Sequence, residues 1–270
     1  MHKPVRWVIR LCGLMCALTV SLLLAWPAAA ADGRMLRIPT RDGIETPTFW
    51  LKQDGAPATL VLMTGGAGGI GPLDASGWPG SRNFLIRSGK LFAAHGFNIA
   101  MVARPTDRQD LDADFRIDPR HLEDLRKVLI ALKRESDAPI WMVGTSRGTI
   151  SAAAMAIAER DSGLLAGIVL TSSITNYRWL GAVPRQALDR INIPVLVMHH
   201  EKDACNACRP YEVPLIQRGL KNAPFKKTIM VNGGSGATGD PCEPEHWHGF
   251  IGMEQEAVDT MAHWIKSPTN

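Results

Sequence analysis

The sequence lacks a basic surplus. Its formal charge is +4, from 30 lysines and arginines against 26 acids. Three of those bases, Lys3, Arg6 and Arg10, stand in an opening stretch with no acid before Asp32. Without that stretch 27 bases face 26 acids, which excludes the basic stripe a nucleic-acid-binding protein needs. No internal repeat is present, which excludes a solenoid, and no linker-like segment splits the chain. A glycine-rich run, Gly65-Gly66-Ala67-Gly68-Gly69, has no lysine after it and does not fit the dinucleotide spacing, so neither phosphate-binding pattern is met. Cysteine is scarce. Of five, Cys12 and Cys16 fall in the opening stretch; Cys205, Cys208 and Cys242 remain, an odd number that leaves one thiol over.

What the opening stretch does contain is a pattern. A positive start is followed by an apolar segment from Leu11 to Trp26 and then by Ala28-Ala29-Ala30-Ala31. That order describes a secretory signal peptide, and the apolar segment is short for a bilayer span. Neither Cys12 nor Cys16 follows a small residue, so lipid attachment is not expected. Residues 1–31 are therefore read as a signal peptide and residues 32–270 as a single α/β domain. The mature chain, about 240 residues, is expected in the periplasm or outside the cell without a stable membrane anchor.

From Arg34 onward apolar runs and helical patterns alternate. Residues 35–39 and 46–52 read as strands joined by the turn Arg41-Asp42-Gly43. Residues 58–64 (ATLVLMT) form a continuous apolar run of the kind found in a strand buried on both faces. A helix is expected over 83–95 and a strand over 97–103. Asp118-Pro119 then opens a helix whose Leu122, Leu125, Val128, Leu129 and Leu132 recur at helical spacing. Strands are expected at 139–143, 165–170, 194–198 and 225–231, and helices at 146–160, 210–220 and 252–266. Repeated strand–helix units after a hairpin give an α/β class with a mostly parallel sheet and helices on both faces. The loosest segments, 65–80, 106–118 and 232–248, all follow strands, at the edge where open α/β sheets bind ligands.

Between a strand and a helix stands Gly144-Thr145-Ser146-Arg147-Gly148. This G-x-S-x-G order suits a sharp turn that needs small flanking residues and displays a serine at a helix N-terminus. A serine hydroxyl needs a base. After the strand PVLVM come Glu201 and Asp203, the latter a few residues past the strand end, where a carboxylate can turn inward. Only His246, His248 and His263 follow. His248, in His-Gly-Phe just ahead of the last helix, is preferred to His246, and His263 sits within the helix pattern. The glycine-rich loop after ATLVLMT can bring a backbone N–H to a bound carbonyl, with the Arg147 N–H as second donor. Each such donor stabilises a transition state by about 3 kcal/mol.

TLVLMTGGAGG, PIWMVGTSRG, PVLVMHHEKD and HWHGF occur in the order found in the α/β-hydrolase superfamily, and the mature chain resembles that superfamily throughout, most of all its dienelactone-hydrolase-like and small-esterase branch. The resemblance implies an eight-stranded sheet with the second strand antiparallel and a Ser146–His248–Asp203 triad. It also implies Gly66 and Arg147 near the oxyanion hole. Thr64-Gly65-Gly66 stands where many members have His-Gly. Only residues 171–191 are available for a cap, so a small one or none is expected.

Cys205-Asn206-Ala207-Cys208 also fits a redox pair or half of a zinc site, but the first belongs in another context and the second would take the histidine the serine needs. A structural disulfide suits the fold better. The loops bearing Cys205 and Cys242 also carry the acid and the base, so a Cys205–Cys242 bond is favoured, with Cys208–Cys242 and Cys205–Cys208 as alternatives. The expected function is an exported serine hydrolase that cleaves an ester or similar acyl bond of a small molecule, with no cofactor and no metal. Its rivals are a non-catalytic binding domain of the same fold, and acyl transfer or peptide cleavage on the same triad.

Overall fold

The computed structural model describes residues 1–2 and 33–270. Residues 3–31 of the predicted signal peptide, with Cys12 and Cys16, lie outside the described residues. Strands β1 (Arg34–Arg41) and β2 (Ile44–Leu51) form an antiparallel hairpin. Its turn uses Gly43 at φ +66°, a left-handed position that glycine reaches without steric cost. The next five strands are buried at every position: β3 (Thr59–Met63), β4 (Asn98–Val102), β5 (Ile140–Thr145), β6 (Gly167–Thr171) and β7 (Val195–His200). Strand β8 (Lys226–Val231) closes the edge. The order is β1-β2-β4-β3-β5-β6-β7-β8, with β2 antiparallel to both neighbours and the rest parallel. The eight strands and the reversed second strand are those the resemblance implied.

Alternate residues of the buried strands feed two cores. Val61, Met63, Met142, Ile168, Leu170, Val195 and Val197 face α3 (Pro119–Glu135), α4 (Gly148–Ala158) and α5 (Val213–Gly219). Leu60, Leu62, Val143, Val169, Leu196 and Met198 face α1 (Phe84–Arg87), α2 (Gly89–Ala94) and α6 (Glu254–Lys266). The period of two along a strand sends neighbouring side chains to opposite faces, which is why these runs read as unbroken apolar stretches. Helix α4, GTISAAAMAIA, is buried over most of its length, and its alanines let it lie close to the sheet.

Three helices differ from the periodicity. The pattern over 83–95 is two short helices that part at Ser88. A Cβ on the next residue, Gly89, would stand 2.1 Å from the end of the Met101 side chain, so the chain passes close to the sheet there. The pattern over 210–220 begins as a 3-10 turn, Pro210–Glu212, before α5. The last helix starts at Glu254, because Gly252 is left-handed at φ +71°. Between β6 and β7 the chain makes only two 3-10 turns, Val183–Arg185 and Leu188–Arg190, with no inserted cap domain. No helix among the described residues is long and apolar enough to cross a membrane.

Candidate active site

Since β3 to β8 run parallel, their carboxyl ends share one edge of the sheet, and the loops that leave it build the site. Strand β5 ends at Thr145, and Ser146 follows at φ +53°. A non-glycine residue in this region costs about 1–2 kcal/mol, and here the surroundings hold it there. The Ser146 N–H donates to Thr171 O, and Ser146 O accepts from Thr149 N–H and Thr149 Oγ1. Both flanking glycines are required sterically. A Cβ at Gly144 would lie 2.6 Å from Gly148 O, and one at Gly148 would lie 2.0 Å from Met63 O. The spacing in the sequence thus has a geometric cause, since strand, helix and the neighbouring β3 meet too closely for side chains.

Asp203 and His248 come together at this edge. His248 Nδ1 donates to Asp203 Oδ2 at 2.9 Å, and the other carboxylate oxygen accepts the Cys205 N–H at 2.9 Å. Both side chains are nearly inaccessible. With Nδ1 engaged by the carboxylate, Nε2 is the free nitrogen. Glu201, the alternative acid, is exposed and accepts from Asn232 Nδ2 instead. His263 is exposed on α6, with its Nδ1 turned to Asp259 O. His246 caps the 3-10 turn Trp247–Gly249, and its Nδ1 meets no partner.

Ser146 and His248 line one cleft of about 260 Å³ with Gly65, Gly66 and Ala67 on one wall and Cys242 on another. Ser146 Oγ and His248 form no hydrogen bond here; such contacts are often long until substrate is bound. The immediate neighbour of the Ser146 hydroxyl is the Cys208 thiol, fully buried and held neutral because burial pushes its pKa well above the ordinary value. Arg147 turns its side chain outward to Asp110, while its N–H remains at the start of α4. Arg104 donates to Gln109 O, and Asp107 pairs with Arg41. Trp78 packs on Phe49 and Trp179 is exposed. None of these four lines the cleft.

Three supporting residues were not singled out from the sequence. Ser172, itself at φ +44°, donates its hydroxyl to His248 O at 2.7 Å and holds the histidine from below. His200 donates Nε2–H to Gly233 O, accepts the Lys202 N–H at Nδ1 and stacks on Trp247, pinning the 232–248 loop to the end of β7. Arg116 lies fully buried behind the glycine loop. No local pattern marks any of them, because each acts on a chain segment distant in sequence. His199, buried behind the Asp203–His248 pair, is kept neutral, since burial lowers its pKa to about 4. Phe250, at φ +56°, packs on Phe84 with ring centroids 4.8 Å apart and anchors the loop end.

A disulfide joins Cys205 to Cys242 across 37 residues, and Cys208 is the free thiol. Donor atoms of Cys205, Cys208 and His248 lie within 4.8 Å of one another, but the Cys205 sulfur is committed to the disulfide and His248 Nδ1 to Asp203. The bond ties the acid loop to a wall of the cleft. Reduction is expected to lower stability by about 2–4 kcal/mol, read as a fall in melting temperature that a Cys205→Ser/Cys242→Ser variant reproduces without reductant.

The sequence matches no family model and no curated protein. Its fold has many relatives among solved structures. A thermophilic carboxylesterase cloned from a metagenomic library superposes with a TM-score of 0.61 at 18% identity, covering 88% of this chain and 89% of that one. A Pyrococcus furiosus esterase gives 0.61 at 12%, over 89% and 92%. A dienelactone hydrolase from Anabaena variabilis gives 0.59 at 12%, over 88% and 100%. Strand order, the reversed second strand, the serine turn and these superpositions agree: the chain has the α/β-hydrolase fold.

Proposed function

We propose that the chain is an exported serine hydrolase that cleaves an ester or similar acyl bond of a small molecule. The observation that carries this is the buried His248–Asp203 pair facing the cleft in which the strained Ser146 is displayed. In this reading Nε2 of His248 takes the Ser146 proton as Oγ attacks the acyl carbon. The N–H groups of Gly66 and Arg147 receive the developing oxyanion. The resulting imidazolium returns its proton to the leaving group, and an acyl-enzyme remains. Water, deprotonated by His248, then attacks the acyl carbon and frees Ser146. The structural relatives are described as esterases and hydrolases, which supports a hydrolase. Export is supported by the signal-peptide pattern and by a disulfide, which persists in oxidising compartments.

The cleft is small for a ligand site and partly polar, with Arg82, Asn83 and Glu243 in its wall. Short acyl groups fit it. Acetyl and butyryl esters are expected to exceed decanoyl esters in kcat/KM by about 10-fold or more, measured on a graded series of activated esters. A fluorophosphonate probe should label the wild type at Ser146 and leave Ser146→Ala unlabelled. A wild type that neither labels nor turns over any ester would point to a binding domain. Turnover seen only with an alcohol or amine acceptor would point to acyl transfer.

A further inference from the structure

The loop from Thr64 to Ala67 has all four carbonyls engaged. Thr64 O and Gly66 O accept from Arg116 Nη2 at 3.0 and 3.2 Å. Gly65 O accepts the Gly68 N–H at 3.1 Å, and Ala67 O accepts the Leu111 N–H at 3.0 Å. Among the described residues the N–H groups of Gly65, Gly66 and Ala67 meet no acceptor in the protein. In a planar trans peptide the C=O and the following N–H point in opposite directions. Holding the Thr64 and Gly66 carbonyls from behind therefore fixes the peptides on either side of the Gly65–Gly66 peptide that carries the Gly66 N–H, and Gly65, Gly66 and Ala67 all line the cleft. Arg116 completes its hydrogen bonds with Leu111 O at 2.9 Å and Ser151 Oγ at 3.1 Å. Ser151 lies on α4, the helix that follows Ser146, so a single guanidinium joins the glycine loop to the serine's own helix.

Those four acceptors are all uncharged, and Arg116 is fully buried. Leaving a buried cation without a carboxylate is costly, and a neutral side chain would fill the space at lower cost. Burial lowers its pKa to about 9, so it remains charged at neutral pH. His121 Nε2 lies 3.0 Å from Ser151 Oγ on its far side. Burial holds His121 neutral, with a pKa of about 3, so no second cation competes with Arg116 there.

We propose that Arg116 is a positioning residue for the reaction: it holds the glycine loop in its anion-accepting shape and places a buried positive charge, hydrogen-bonded to no carboxylate, behind the point where the oxyanion forms. This rests on the serine-hydrolase reading. The test compares Arg116→Met, which keeps bulk without charge, and Arg116→Lys, which keeps charge but cannot reach both loop carbonyls. Glu201→Gln, at an exposed residue with no contact to Arg116, serves as the control. On an activated short-chain ester, kcat is expected to fall about 100-fold in Arg116→Met and about 10-fold in Arg116→Lys, with KM within about threefold, and to stay within about twofold in Glu201→Gln. Hydrogen exchange should quicken at Gly68 and Leu111, whose N–H groups donate to the loop carbonyls of Gly65 and Ala67, and stay at wild-type rates in the sheet. Folded Arg116 variants with wild-type kcat would overturn the proposal. So would failure of both Arg116 variants to fold, or a loss of kcat accompanied by faster exchange throughout, since either outcome assigns a purely structural role. A wild type without Ser146-dependent turnover would instead remove the hydrolase reading; exchange at Gly68 and Leu111 then still decides whether Arg116 holds the loop.

Discussion

Ser146→Ala is expected to lower kcat on an activated acyl ester by about 10⁴-fold or more while leaving the fold intact. Alanine bears the φ of +53° at about the same cost as serine, and the glycine contacts on either side do not involve the hydroxyl. What disappears is the nucleophile alone. The adjacent Cys208 cannot take over at neutral pH, because burial keeps its sulfur protonated and only a thiolate attacks effectively. Steady-state kinetics with circular dichroism as a fold control would read the effect. A folded variant that retained a tenth of wild-type kcat would remove Ser146 from the mechanism.

The second large effect separates the two candidate acids. Asp203→Asn is expected to lower kcat by about 10³–10⁴-fold, and Glu201→Gln to leave it within about twofold. The reason lies in the two partners of Asp203. One carboxylate oxygen accepts the Cys205 N–H and the other accepts His248 Nδ1–H. An asparagine keeps its carbonyl on the Cys205 N–H, which needs an acceptor, and so turns its NH₂ toward His248. Nδ1 must then accept, the ring proton moves to Nε2, and the nitrogen facing Ser146 can no longer take a proton. Glu201 is exposed, and its partner is Asn232. Equal losses in the two variants would mean that the carboxylates act through stability and not through the imidazole tautomer.

Much of the fold was legible because its causes are local. ATLVLMT and PIWMV are unbroken apolar runs for the reason given by their burial on both faces, and Asp118 with Pro119 marks a helix start that the structure caps through Asp118 and the Arg120 N–H. The serine turn was legible because the contact that requires Gly144 is made within a few residues, against Gly148, whereas Gly148 answers to Met63 on β3. The apolar periodicity over 83–95 does not show the break at Ser88 that leaves α1 and α2 as separate short helices. His248 and Asp203 could be ranked from their place after strands, but Glu201 and His246 shared that place. Only the direction of each side chain separated them.

By itself the sequence determined the α/β class, the parallel core strands and the glycine-flanked turn, because periodicity and close backbone packing are written in neighbouring residues. Tertiary structure alone decided which carboxylate meets His248, which cysteines pair, and that Arg116 lies behind the glycine loop. Those outcomes depend on distances between segments tens of residues apart, and the parallel sheet sets such distances only after its strands have assembled side by side.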